Sequence, residues 1–258
     1  MTGNQLPDPF GSVLDRISQD LCSDPHVEAV FLGGSLALGQ ASPRSDLDLV
    51  IIKDSTVPVM ERYVRYVEGV QVQVISGPPR QFDIWLEKDR PTGTVIRQIS
   101  DGQLLFDRHG LGADYQTQAR DVVKAGLAPM STPQIRSRRF RLTELLDDII
   151  DCADDPPQAR WLMDTGLATV VETAFLWHQH WTPKGKRALA EIETLDPSLA
   201  ALCHDFLAET RFSAQCAAFQ SLVTYVLEPL GGELREPWTR APEAVPHDND
   251  SPHARDDI

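Results

Sequence analysis

The stretch from Phe31 to Ile52, FLGGSLALGQASPRSDLDLVII, sets two carboxylates, Asp46 and Asp48, at the mouth of an apolar run. Residues two apart on a strand share a face, so both carboxylates point one way while Leu47 and Leu49 point into the core. Two carboxylates that close repel each other unless a cation stands between them. A hard divalent ion such as Mg2+ takes oxygen ligands and keeps waters, and it often shares its remaining positions with substrate phosphates. The pair therefore reads as a platform for one or two Mg2+ ions. Upstream, Gly33-Gly34-Ser35 ends another apolar run. Two glycines let the backbone turn sharply and approach a ligand closely. The N–H groups that follow, at Leu36-Ala37-Leu38, suit an anion, and Ser35 can cap a helix or donate to phosphate. A phosphate cradle beside a Mg2+ platform is the equipment for nucleoside triphosphate chemistry.

Hydrophobic periodicity indicates the elements that must hold these groups. Phe10, Val13, Leu14, Ile17 and Leu21 fall at helical spacing within residues 8–22. Ala29–Leu32 and Leu47–Ile52 are short apolar runs of the kind covered on both faces. Residues 70–74 alternate as Val70, Val72 and Val74 around Gln71 and Gln73, a strand with one buried face. Leu104-Leu105-Phe106 before a turn suggests a short edge strand. The first hundred residues thus read helix, strand, turn, helix, strand, helix or loop, strand.

From about residue 113 the period becomes helical, with helices over 133–152, 159–177, 186–194, 198–209 and 213–228. On the first of these, Ile135, Leu142, Leu145, Leu146, Ile149 and Ile150 mark one side. Pro, Asp, Glu and His dominate the end of the chain, where apolar residues are too few to offset ordering entropy. The boundaries expected are 1–112 for the domain carrying the two aspartates, 113–232 for a helical bundle domain and 233–258 for a disordered acidic tail.

Composition narrows the function classes. The formal charge is −14 at 258 residues, which argues against tracking long nucleic acid through its phosphates; a cationic small substrate or simple solubility accounts for it equally well. No run approaches the roughly 20 apolar residues that cross a bilayer. The first 20 residues carry Asp8, Asp15 and Asp20, unlike a signal peptide. Cys22, Cys152, Cys203 and Cys216 are scattered without a paired spacing, so reduced and mostly buried thiols in the cytoplasm are expected.

The order of features is more specific than any one of them. An apolar strand, Gly-Gly-Ser, ten residues (36–45) and Asp-Leu-Asp entering a second apolar strand resemble the nucleotidyltransferase signature of the DNA polymerase beta superfamily. The small-substrate, kanamycin and aminoglycoside nucleotidyltransferase-like members are the ones resembled. In that pattern Gly34-Ser35 matches the Gly-Ser element, and Asp46 and Asp48 match the first two metal-binding acids. The resemblance covers about residues 10–110. It implies an α+β fold: a small mixed β-sheet flanked by helices, followed by an α-helical bundle.

The resemblance also implies an activity, the transfer of NMP (AMP from ATP) to a hydroxyl of a small molecule or a protein, with release of pyrophosphate. In Trp181–Arg187, WTPKGKR, it implies that Lys184 or Lys186 reaches the triphosphate; a solvated basic loop is the alternative. The family usually has a third carboxylate on a following strand. The matching position here is Gln73, an amide that cannot accept a proton. Asp83, just beyond Gly77-Pro78-Pro79, is the other candidate for that role. If neither serves, the chain is a weakened or inactive member acting as a nucleotide- or partner-binding regulatory module. Arg136, Arg138, Arg139 and Arg141 are expected to pair with Glu144, Asp147 and Asp148 along their own helix, and Trp161, Trp177 and Trp181 to serve in packing.

Overall fold

The computed structural model describes residues 6–89, 92–183 and 185–239. The chain divides into two compact units, Met1–Ala128 with Gln179–Trp181, and Pro129–His178 with Thr182–Ile258. The first unit runs α1 (Phe10–Ser23), β1 (Val27–Gly33), α2 (Gly34–Ala37), β2 (Leu47–Lys53), β3 (Glu61–Val67), β4 (Val70–Gly77), α3 (Pro79–Asp89), α4 (Thr94–Ser100), β5 (Gln103–Asp107) and α5 (Leu111–Ala125). Its five strands form one sheet in the order β3-β4-β2-β1-β5. β2 and β4 run parallel, and every other pairing is antiparallel. The sheet is therefore mixed, as expected, with β5 at one edge.

The central strands are apolar on both sides because both faces are covered. Val30, Leu32, Leu47, Leu49, Val72 and Val74 pack with Phe10, Val13, Leu14 and Ile17 of α1. On the other face Phe31, Val50, Ile52 and Ile75 meet Phe82 of α3, Ile96 and Ile99 of α4, and Tyr115 of α5. So α5, which begins near the expected boundary at 112, packs on the sheet as part of the first unit.

The segment expected as helix or loop before residue 70 contains the strand β3. Six of its seven residues are exposed and the seventh is half-buried, so no buried face writes an alternating pattern into the sequence. It joins β4 through Glu68-Gly69, both with positive φ, the two-residue turn whose twist matches a hairpin.

The second unit holds α6 (Thr132–Asp151), α7 (Pro156–Trp177), α8 (Ala188–Leu195), α9 (Pro197–Ala208) and α10 (Phe212–Leu227). Leu142, Leu146 and Ile149 of α6 share one core with Met163, Val170, Phe206, Phe219 and Leu222. Ile150, expected on that side, is 63% exposed, because the stripe of residues 142, 146 and 149 already defines the inward face.

Residues 233–239 differ from the disordered tail that composition suggested. Leu234 is buried and its N–H donates to Thr143 Oγ1 at 3.0 Å. Arg139 donates to the carbonyls of Gly231, Gly232 and Glu233 at 2.7–3.0 Å. Arg235 pairs with Asp147 at 2.6 Å, and Trp238 packs its ring at a tilt against Phe140. Residues 240–258 lie outside the described residues.

Arg138 and Arg139 of α6 therefore pair beyond their own helix rather than with Glu144, Asp147 and Asp148. Arg138 reaches Glu172 on α7 at 2.6 Å, and Arg139 serves the chain beyond residue 230. Of the tryptophans, Trp181 is buried, Trp177 is 37% exposed and Trp161 is 65% exposed, which is not a packing position. Only Cys203 of the four free thiols is fully buried, and Cys22 is exposed.

Candidate functional site

Strand pairing brings the expected residues of the first unit together. Gly33, the last residue of β1, lies opposite Asp48 on β2, and Asp48 lies opposite Gln73 on the parallel neighbour β4. Asp46 directly precedes β2. Ser45, Leu47 and Leu49 are buried while Asp46 and Asp48 are half-buried, so the two carboxylates share the less covered face, as their spacing requires.

Gly34 has φ +65, and a Cβ built there would lie 2.1 Å from Oδ2 of Asp48. The glycine turn and the second carboxylate are therefore in direct contact, and the space a side chain at 34 would need is the space the carboxylate fills. Ser35 donates from Oγ to Ser45 Oγ at 3.0 Å, and the Ser42 N–H donates to the same Ser45 oxygen at 2.8 Å. The buried Ser45 hydroxyl ties the loop between turn and aspartates to the turn itself.

The two carboxylates lie close enough for the charge of one to act on the other. Burial, first, and the Asp46 charge, second, push Asp48 up to about 6 from 3.8, with Arg62 of β3 pulling the other way. Gln73 donates from Nε2 to Oδ2 of Asp46, so the amide in the third position orients the first carboxylate. Asp83 does not supply a third acid. It accepts a hydrogen bond from Tyr115 Oη at 2.6 Å, and the same hydroxyl reaches the Pro79 carbonyl at 2.9 Å. Among the described residues, no group of three or more His, Cys, Asp or Glu is placed to hold a metal ion. Two carboxylates and an amide form an all-oxygen donor set once the amide turns its oxygen inward. Such a set fits a Mg2+ that keeps waters and takes substrate phosphates, since that ion commonly uses only one or two protein carboxylates.

Three neighbours were not apparent in the sequence. Arg62 acts on Asp48 from a strand that left no periodic trace. Gln98 of α4 packs on Gly33, whose added Cβ would lie 3.1 Å from its Cγ, and its Oε1 is buried without a hydrogen-bond partner. Asp89 accepts from the N–H groups of Val95 and Ile96 at 2.6 and 3.1 Å, which fixes the start of α4. Arg62, Asp89, Val95 and Gln98 all line a cavity of about 380 Å³. An Asp five residues ahead of a helix offers no spacing cue in the sequence. Lys186 is exposed on a short 3-10 turn, Gly185–Arg187, of the second unit, and Lys184 lies outside the described residues.

A family model described as "Nucleotidyltransferase domain" matches residues 14–104. The matched span includes Gly33, Gly34, Asp46, Asp48, Arg62, Gln73 and Gln98. No curated protein matches the chain. Among solved structures, a nucleotidyltransferase-like protein from Exiguobacterium sibiricum 255-15 aligns with a TM-score of 0.46 and 13% identity, over 84% of this chain and 74% of that one. Among the described residues, no helix is long and apolar enough to cross a membrane.

Proposed function

We propose that this chain is a Mg2+-dependent nucleotidyltransferase that moves AMP from ATP to a hydroxyl of a small molecule or a protein. The acceptor oxygen forms a bond to the α-phosphorus as its hydroxyl proton passes to solvent water, the bond from that phosphorus to the bridging oxygen breaks, and pyrophosphate leaves with the electron pair. The contact between Gly34 and the Asp48 carboxylate carries this reading. It sets a turn able to approach phosphates against a carboxylate able to share a cation with them, inside the matched span.

Asp46 and Asp48 would hold the metal, and Gly33, Gly34 and Ser35 the triphosphate. When bound, the ion supplies Lewis-acid charge neutralisation and a lowered acceptor pKa. Gln73 keeps Asp46 in position but takes no proton, and a missing general base costs about 10²–10⁴ in rate. The helical part, 113–232, is assigned the choice of acceptor. Resemblance rather than geometry assigns Lys184 and Lys186 to the phosphates. The proposed setting is the cytoplasm, in keeping with four unpaired cysteines.

A second reading, a nucleotide-binding regulatory module with weak or no transfer, is favoured by one observation. The amide of Gln73 occupies an oxygen of Asp46 where the family usually has a third acid. Melting curves and turnover separate the two. ATP with Mg2+ is expected to raise the Tm of the wild-type chain, and the shift is expected to vanish in the double variant Asp46→Asn/Asp48→Asn. A shift that persists in the double variant rules out the metal platform. Gln73→Asp is expected to increase pyrophosphate release under transfer conditions; nucleotide binding without any release, in both chains, favours the regulatory module.

A further inference from the structure

The second unit contains a separate cavity of about 300 Å³ lined by Trp177, His178, Asp196, Tyr225 and Glu228, among others. We infer that it binds a small organic cation, an alkylammonium with an apolar body. This inference is independent of the transferase reading and stands on the helical unit alone.

Two aromatic side chains and two carboxylates face one space. Trp177 is the last residue of α7 and Tyr225 lies in the last turn of α10. Both helices therefore bring the negative ends of their dipoles to the cavity. Neither has a basic residue in its last turn to offset that potential, and no lysine or arginine among the described residues lines the cavity. Glu228 follows α10 directly, exposed and with no ion pair among the described residues.

Asp196 is the N-cap of α9. Its Oδ1 accepts from the N–H groups of Ser198 and Leu199 at 3.0 Å, which offsets the positive end of that helix. Tyr225 Oη donates to Asp196 Oδ2 at 2.9 Å, so the phenol ring is held as a wall while its hydroxyl is occupied. Burial first, then the hydrogen bond to Asp196, raise the Tyr225 hydroxyl above its ordinary value, with the charges of Asp196 and Glu228 adding to the rise. An anion would meet two carboxylates and two helix C-termini. A neutral apolar ligand would leave the Glu228 carboxylate without a partner. A cation with methyl or methylene groups satisfies the aromatic faces and the acids together.

The test uses choline and its neutral isostere 3,3-dimethylbutan-1-ol as probes, titrated into the full chain at low ionic strength and followed by saturation-transfer NMR. Choline is expected to bind saturably, with the neutral isostere weaker by about tenfold. Trp177→Leu and Glu228→Gln are each expected to weaken choline by about fivefold at unchanged Tm. Glu228 is exposed, so its variant keeps the test decisive even if Trp177→Leu fails to fold. Equal affinity for the isostere overturns the inference, as does choline affinity unchanged by Glu228→Gln or no saturable choline binding.

Discussion

At the scale of single residues, Gly34 and Asp48 constrain each other. Gly34 takes a left-handed backbone that costs other residues about 1–2 kcal/mol, and the Asp48 carboxylate occupies the place of its absent side chain. Asp48 bears a cost of its own. Its ordinary value of 3.8 rises to about 6 in the fold, mainly through burial and then through Asp46. The folded chain thus holds that proton more tightly than the unfolded one. The contribution to stability is intact below 3.8, declines as pH rises and is gone above about 6. Asp48→Asn, which cannot ionise, is expected to raise the Tm at pH 8 in the presence of a chelator. The gain over wild type should shrink as pH falls through 6 towards 4. Thermal melts across that range check it, and a gain independent of pH would mean that ionised Asp48 carries no penalty. Groups whose burial and neighbours push them this far from their ordinary value cluster at functional sites.

At the scale of elements, the connection from α3 to α4 matters most to the site. Asp89 is buried, and one carboxylate oxygen serves the first N–H groups of α4 while the other takes the Thr92 hydroxyl. That bracket sets the angle of α4, and α4 carries Gln98 against Gly33. Asp89→Ala is expected to lower stability by about 1–3 kcal/mol, because it leaves two buried N–H groups without an acceptor. It should also weaken the thermal shift given by ATP with Mg2+, since Gln98 would lose its seat. Urea unfolding measures the first effect and melting curves the second. Elements with a buried face were readable as periodicity: α1 by residues 10, 13, 14 and 17, β4 by its alternating valines, and α6 by residues 142, 146 and 149. β3 was not, because exposure on both faces removes the constraint that writes a period.

At the scale of the whole molecule, the chain's later course is tied back to its middle. Arg139, with its side chain 14% exposed, donates to three successive carbonyls from Gly231 to Glu233, and Leu234 is buried with its N–H on Thr143. Arg139→Ala is expected to cost about 2–3 kcal/mol, because bonds from a charged donor are lost together with their acceptors' partners. Urea unfolding followed by far-UV circular dichroism would show it. A variant as stable as wild type would mean that the segment 231–239 contributes little to the second unit.

The sequence by itself determined what depends on local order. The spacing of Asp46 and Asp48 put them on one face, Gly33-Gly34 forced a turn, and the apolar runs made strands covered on both sides, because side-chain direction along a strand and glycine's conformational freedom are properties of the chain alone. Tertiary structure alone decided which distant residues complete the neighbourhood. Gln73 rather than Asp83 faces Asp46, because β4 pairs with β2 in parallel register while Asp83 on α3 is taken by Tyr115. Arg62, Gln98 and Asp89 join for the same reason. Their positions follow from strand order and helix packing, which bring together residues whose separation in sequence carries no period.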